Sequence, residues 1–193
     1  MIAVLVVDMQ NAFFEDPALA SQRDGLVQRC NELVRAAVRS NLPVLFVTTQ
    51  HERDKSTWSL NMLEDNQGFL FSGTDQAKLV PGLDADGLQR MTKTRDSAFL
   101  GTDLVLRLRN LGVDTVVLAG VSTHNCVAQT AADAFAYNFR VIYAADATGT
   151  EDSEAAEAVL AVLCREYRQR SLTVEEIVKL LQGEEAAPQL SPG

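Results

Sequence analysis

The sequence predicts an α/β fold with a mostly parallel sheet, and three observations carry that reading. Short apolar runs alternate with longer segments of helical spacing. The first run, from Ile2 to the acid Asp8, is apolar through Val7, as a strand buried on both faces requires. The 193 residues are 47% hydrophobic and 22% charged, an ordinary globular mixture for one domain or two small ones. A chain of this length buries about 70% of its unfolded surface.

The elements follow in order. After the strand Ile2–Asp8, residues 21–40 place Leu26, Cys30, Leu33, Val34, Ala37 and Val38 at helical spacing, and Asn41-Leu42-Pro43 stops that helix. Val44–Thr49 reads as a second strand. Residues 50–87 read as irregular, which in a compact domain means a functional loop or an unrecognised element. Leu88–Lys93 is a short strand, and 102–111 a helix ended by Gly112. Thr115–Gly120 is a buried strand, 125–137 an Ala-rich helix, and Arg140–Ala144 a strand ending near Asp146. Residues 151–167 form a helix with Ala156, Val159, Leu160 and Leu163 on one face. Thr173-Val-Glu-Glu176 is a capping box opening a last helix, Val174–Leu181. The domain is expected to span residues 1–182. Residues 183–193, with Pro, Ser and Glu and little to bury, are expected to form a disordered tail.

Composition excludes several classes. Seventeen basic against 26 acidic residues, net −9, argues against nucleic acid and anionic membranes as partners, but leaves open a small anionic substrate. No 18-residue apolar run occurs and no basic flank precedes the first strand, so neither a transmembrane helix nor a signal peptide is expected. Three cysteines without a CxxC pair argue against a disulfide framework or a zinc ribbon, and two histidines leave little for a His-rich metal site. The expectation is a reduced, cytoplasmic protein.

In parallel sheets ligands bind outside the carboxyl ends of the strands. Three places there stand out: Asp8, Lys93 and the segment Val121–Cys126. Cys126 follows a buried strand at the start of a helix, where unpaired N–H groups and the helix dipole favour a thiolate and can hold an oxyanion. The alternative is a small buried hydrophobe, the reading that fits Cys30 and Cys164. Asp8 is a helix cap, an ion-pair partner or a base; Lys93 is either a solvated cation or a site group, depending on its distance from Asp8 and Cys126. His124, two residues before Cys126, is too close in the chain to align as its base. A thiol here needs another base, which an acid and a lysine can supply.

These residues sit in four segments: Leu5-Val-Val-Asp8-Met-Gln-Asn11-Ala-Phe13, Lys93-Thr-Arg-Asp-Ser-Ala-Phe99-Leu-Gly-Thr102-Asp-Leu104, Leu118-Ala-Gly120-Val-Ser-Thr123-His-Asn-Cys126-Val127, and Thr130-Ala-Ala-Asp133-Ala. In this order, over about residues 1–150, they resemble the isochorismatase-like cysteine hydrolase superfamily, which includes nicotinamidases, carbamoylsarcosine amidases and ureidoacrylate-type amidohydrolases. The resemblance implies a three-layer α/β/α fold with a parallel six-stranded sheet of Rossmann-like order. It implies a triad of Asp8, Lys93 and Cys126, and a cis peptide at Val121–Ser122 that aims the Ser122 N–H beside the Cys126 N–H as an oxyanion hole. The activity implied is hydrolysis of a C–N bond in a small amide, carbamoyl or ureido compound through a thioester. Alternatives are isochorismatase-type vinyl-ether hydrolysis, against which an intact Cys126 argues, and a non-catalytic binding or thiol-sensing protein on the same scaffold. A homodimer or homotetramer is also implied.

The chain departs from the nicotinamidases in the residues after the second strand. Those relatives bind a divalent metal there through an aspartate and several histidines, whereas Thr48-Thr-Gln-His-Glu-Arg53 keeps only His51; no metal and no cofactor are expected. His124 stands where many relatives have an acid, and either contacts substrate or caps the turn. Phe13, Phe14 and Trp58 are either pocket wall or core. Arg95, two residues beyond Lys93, either pairs with a substrate carboxylate or forms a surface salt bridge.

Overall fold

The computed structural model describes residues 1–183. All but the first residue of the expected tail therefore lies outside the described residues. Six strands form one parallel sheet: β1 (Ile2–Val7), β2 (Val44–Thr49), β3 (Gln89–Lys93), β4 (Thr115–Val121), β5 (Arg140–Gly149) and β6 (Arg170–Leu172). Their spatial order is β3-β2-β1-β4-β5-β6. This is the doubly wound order in which the chain reverses direction between β1 and β4 and opens a crevice at their carboxyl ends.

Helices cover both faces. The first strand shows why its sequence is apolar throughout: Val4 and Val6 point into one core layer, with Leu26, Cys30 and Leu33 of α1 (Pro17–Arg39) and Ile177 of α6 (Val174–Leu181). Ala3, Leu5 and Val7 point into the other, with Leu104 and Leu108 of α3 (Leu104–Asn110), Ala131 and Ala134 of α4 (Ala128–Ala136) and Leu163 of α5 (Ser153–Glu166). The side-chain period of two sends alternate residues to opposite faces, and both faces are core.

Several boundaries differ from expectation. Helix α1 begins at Pro17, four residues before the predicted start, because Asp16 caps it through the N–H groups of Ala18 and Leu19 and proline takes the first turn. Residues 50–87 contain a short helix, α2 (Leu60–Glu64), and are tied down by isolated bridges between Gln10 and Leu79 and between His51 and Phe71. Strand β5 runs on to Gly149 with a register shift against β4 between Leu118 and Gly120, so Asp146 does not end it. The three-residue β6 was not read from the pattern. The capping box at Thr173 and Glu176 forms as expected.

Gly120 is fixed by a close approach. Its φ is 112°, and a Cβ there would lie 1.9 Å from the Val7 carbonyl oxygen. Only glycine lets the end of β4 pass against β1, which brings the turn carrying Cys126 beside Asp8.

Candidate active site

Asp8, Lys93 and Cys126 converge at the carboxyl rim of the sheet. Lys93 Nζ lies 2.7 Å from Asp8 Oδ2 and 3.6 Å from Cys126 Sγ. Asp8 and Lys93 are fully buried, and Cys126 is 5% exposed. Asp8 adopts a left-handed φ of 51° just past β1 while its N–H donates to the Val47 carbonyl, which turns the carboxylate into the crevice.

Asp8 and Lys93 sit on strands that are not neighbours, since β2 runs between β1 and β3. Thr49, the last residue of β2, bridges them. Its hydroxyl accepts from Lys93 Nζ at 2.7 Å and donates to Asp8 Oδ1 at 2.9 Å. Gln10 clamps Thr49 in turn: its Nε2 donates to the Thr49 and Ala77 carbonyls, and its Oε1 accepts from the Thr49 N–H. One carboxylate oxygen is thus capped by Thr49. The other, Oδ2, has the ammonium close by but no aligned hydrogen-bond donor. The strand-end rule that singled out Asp8 and Lys93 reaches Thr49 as well, but the residue type gave no reason to choose it.

The peptide bond between Val121 and Ser122 is cis. The following segment, Thr123–Val127, is a single π-turn rather than the first turn of a regular helix, and α4 begins only at Ala128. The Ser122 carbonyl anchors the turn by accepting from the N–H groups of Asn125 and Val127. The pull toward a thiolate that a helix start supplies is opposed here. Burial, together with Asp8 and Asp96, pushes the thiol well above its ordinary value, and the opposing pull of Lys93 does not restore it. Burial also opposes the charge on Lys93, but attraction to Asp8, Cys126 and Asp96 outweighs it and holds the ammonium above its usual range. The sulfur thus lies beside the buried Lys93–Asp8 ion pair, in surroundings that favour its protonated form.

The remaining sequence-predicted residues take varied places. Phe13 lies in a 3₁₀ turn, Asn11–Glu15, and packs edge-on to Phe69 at 6.4 Å; Phe69 is also 6.2 Å from the His51 ring. Trp58 is buried inside the 50–87 segment, against Phe71 and close over Gly68, with its indole N–H donating to the Glu52 carbonyl. Arg95 Nη1 donates to the Thr57 and Thr94 carbonyls, and Nη2 to that of Trp58 at 3.4 Å. No carboxylate lies within ion-pair distance of Arg95 among the described residues. The His124 ring meets the Thr150 hydroxyl at Nδ1 (2.9 Å), and its Nε2 is 3.7 Å from Glu151, whose other oxygen accepts from Ser122 Oγ. Asp96, which sequence reasoning passed over, places Oδ1 3.8 Å from Cys126 Sγ.

The residues do not fit a metal of the nicotinamidase kind. Among the described residues His51 has no ligating neighbours grouped with it, and Thr49 is occupied between Asp8 and Lys93. No group of three His, Cys, Asp or Glu side chains among the described residues is placed to hold a metal. No helix among them is long and apolar enough to cross a membrane.

Fold and site together define a class: a doubly wound parallel α/β domain with an acid, an amine and a thiol gathered at its switch point. Residues 2–172 match the family model described as the isochorismatase domain, and the chain belongs to the isochorismatase family, a family of hydrolase type. It is 35% identical over 161 residues to a probable inactive nicotinamidase of Arabidopsis thaliana, covering 79% of this chain and 82% of that one. An isochorismatase family protein from Desulfovibrio vulgaris superposes with a TM-score of 0.82 at 30% identity, covering 94% of this chain and 98% of the other. N-carbamoylsarcosine amidase from Thermoplasma acidophilum superposes with a TM-score of 0.77 at 28% identity, covering 90% and 96%.

Proposed function

We propose that the protein is a cysteine-dependent hydrolase that cleaves a C–N bond in a small amide, carbamoyl or ureido compound. The observation that carries this reading is the placement of Lys93 Nζ, 2.7 Å from Asp8 Oδ2 and 3.6 Å from Cys126 Sγ, with the acid and the amine buried. A buried thiol needs a base at the moment of attack, and the unaligned Oδ2 of Asp8 is available for that proton. Similarity to a protein named as an amidase supports a C–N substrate.

In this reading Cys126 Sγ attacks the carbonyl carbon as its proton passes to Asp8. Lys93 stabilises the negative charge on Asp8 before the transfer and on the sulfur as the proton leaves it. The tetrahedral oxyanion is held by the Ser122 and Cys126 N–H groups. Asp8 returns the proton to the leaving nitrogen, the C–N bond breaks, and a thioester remains. Water then attacks the thioester with Asp8 again as base, which releases the acid and regenerates the thiol.

The test is turnover by Cys126→Ala and Cys126→Ser across primary amides, carbamoyl amino acids and ureidoacrylate-like compounds, read as ammonia release. Both variants should fold and lose turnover. Turnover at the wild-type rate without the sulfur would refute the mechanism.

A further inference from the structure

The groups around Cys126 carry a charge asymmetry that the hydrolytic machinery does not use. Asp96 lies just beyond β3, exposed, with Oδ1 3.8 Å from Cys126 Sγ. That thiol is the only side chain hydrogen-bonded to it among the described residues; Lys93 attracts it from farther off, beyond ion-pair distance. An exposed carboxylate beside the sulfur is therefore available to whatever the sulfur meets. A second carboxylate, Glu151, stands on the Ser122 and His124 side of the same turn.

The N–H donors of the cations nearby are engaged elsewhere. Lys93 is buried against Asp8, and the Arg95 guanidinium is turned to the Thr57, Thr94 and Trp58 carbonyls. An ionised carboxylate only accepts hydrogen bonds, so Asp96 favours an N–H donor or a cation and repels an anion.

We propose that Asp96 sets the charge class of what reaches Cys126: the site takes an amide or ureido compound that is neutral or cationic beside the scissile carbonyl, and turns away one carrying a carboxylate there. Asp96 is thereby a specificity-determining residue, its carboxylate accepting from the substrate's N–H groups. The proposal rests on Cys126 being the nucleophile, but its test does not depend on turnover.

The experiment measures labelling of Cys126 by three methanethiosulfonates of similar reactivity: the cationic trimethylammonioethyl, the neutral methyl and the anionic sulfonatoethyl reagent. The thiol displaces methanesulfinate from each and forms a mixed disulfide. Rates are read by mass spectrometry on the peptide containing Cys126, which separates it from Cys30 and Cys164, and are normalised to a neutral model thiol. The wild-type protein should favour the cationic over the anionic reagent at least tenfold. Asp96→Asn and Asp96→Ser should each cut that ratio at least threefold, and Glu151→Gln should cut it less. A wild-type ratio at or below one, a ratio unchanged in both Asp96 variants, or no labelling of Cys126 by any reagent overturns the proposal. Failure of the hydrolase reading shows separately, as turnover that survives Cys126→Ala.

Discussion

Lys93 Nζ and Asp8 Oδ2 lie 2.7 Å apart, with both side chains wholly shielded from solvent. The pair spans β1 and β3 across the end of β2, so it joins the site to the sheet itself. Removing one partner strands a buried charge. Lys93→Met should destabilise the fold by about 3–5 kcal/mol, whereas Asp8→Asn with Lys93→Met should recover part of that loss. Urea denaturation of the single and double variants measures both, and an unchanged midpoint for Lys93→Met would contradict the buried pairing.

Thr49 holds that pair in register. Thr49→Val removes a buried acceptor from Lys93 and a donor from Asp8 at nearly constant volume. Hydrogen bonds to charged groups contribute about 1.5–3 kcal/mol, so turnover should fall roughly 10- to 100-fold. Thr49→Ser should keep most of it. Equal turnover in the valine and serine variants would show that the hydroxyl has no part in positioning the acid.

Alkaline stability follows from the buried thiols and the amine. Burial raises the Cys30 thiol to about 12 and Cys126 well above its ordinary value, and Lys93 is also raised. A group that holds its proton more tightly when folded stabilises the protein fully below its unfolded pKa, and loses that stabilisation as pH rises toward the folded value. Stability should therefore decline from about pH 8.5 upward, with each thiol contributing a slope of about 1.4 kcal/mol per pH unit. Cys30→Ala should flatten the decline by one such slope between about pH 9 and 12. Unfolding free energies measured across that range provide the check; parallel curves would disprove the assignment.

Two glycines should respond in opposite ways to alanine. At Gly120 the new Cβ would collide with the Val7 carbonyl, at a φ that L residues rarely adopt. Gly120→Ala should cost more than about 4 kcal/mol or abolish soluble expression. Gly25 lies inside α1, exposed, with nothing within 4 Å of an added methyl, so Gly25→Ala should stabilise by about 0.5–1 kcal/mol. Thermal melts of the two variants compare them directly.

Elements with a local signal were legible in the chain. The unbroken apolar run of β1 announced a strand buried on both faces, and Thr173 with Glu176 announced the start of α6. Both depend on period or capping chemistry within a few residues. The three-residue β6 lacks such a signal, because it exists only through pairing with β5. Helix α2 is similarly short and lies within a segment whose polar composition reads as a loop.

Residue identity and strand-end position by themselves marked Asp8, Lys93 and Cys126 as worth watching, and motif order tied the three together. Only the tertiary structure decided that they meet, that Thr49 joins the acid to the amine across an intervening strand, that Asp96 lies beside the sulfur, and that burial pushes the thiol upward. Strand order determines which ends are adjacent, and burial determines which ionic form is tolerated. Both arise from contacts between residues far apart in the chain, which no local pattern of residues encodes.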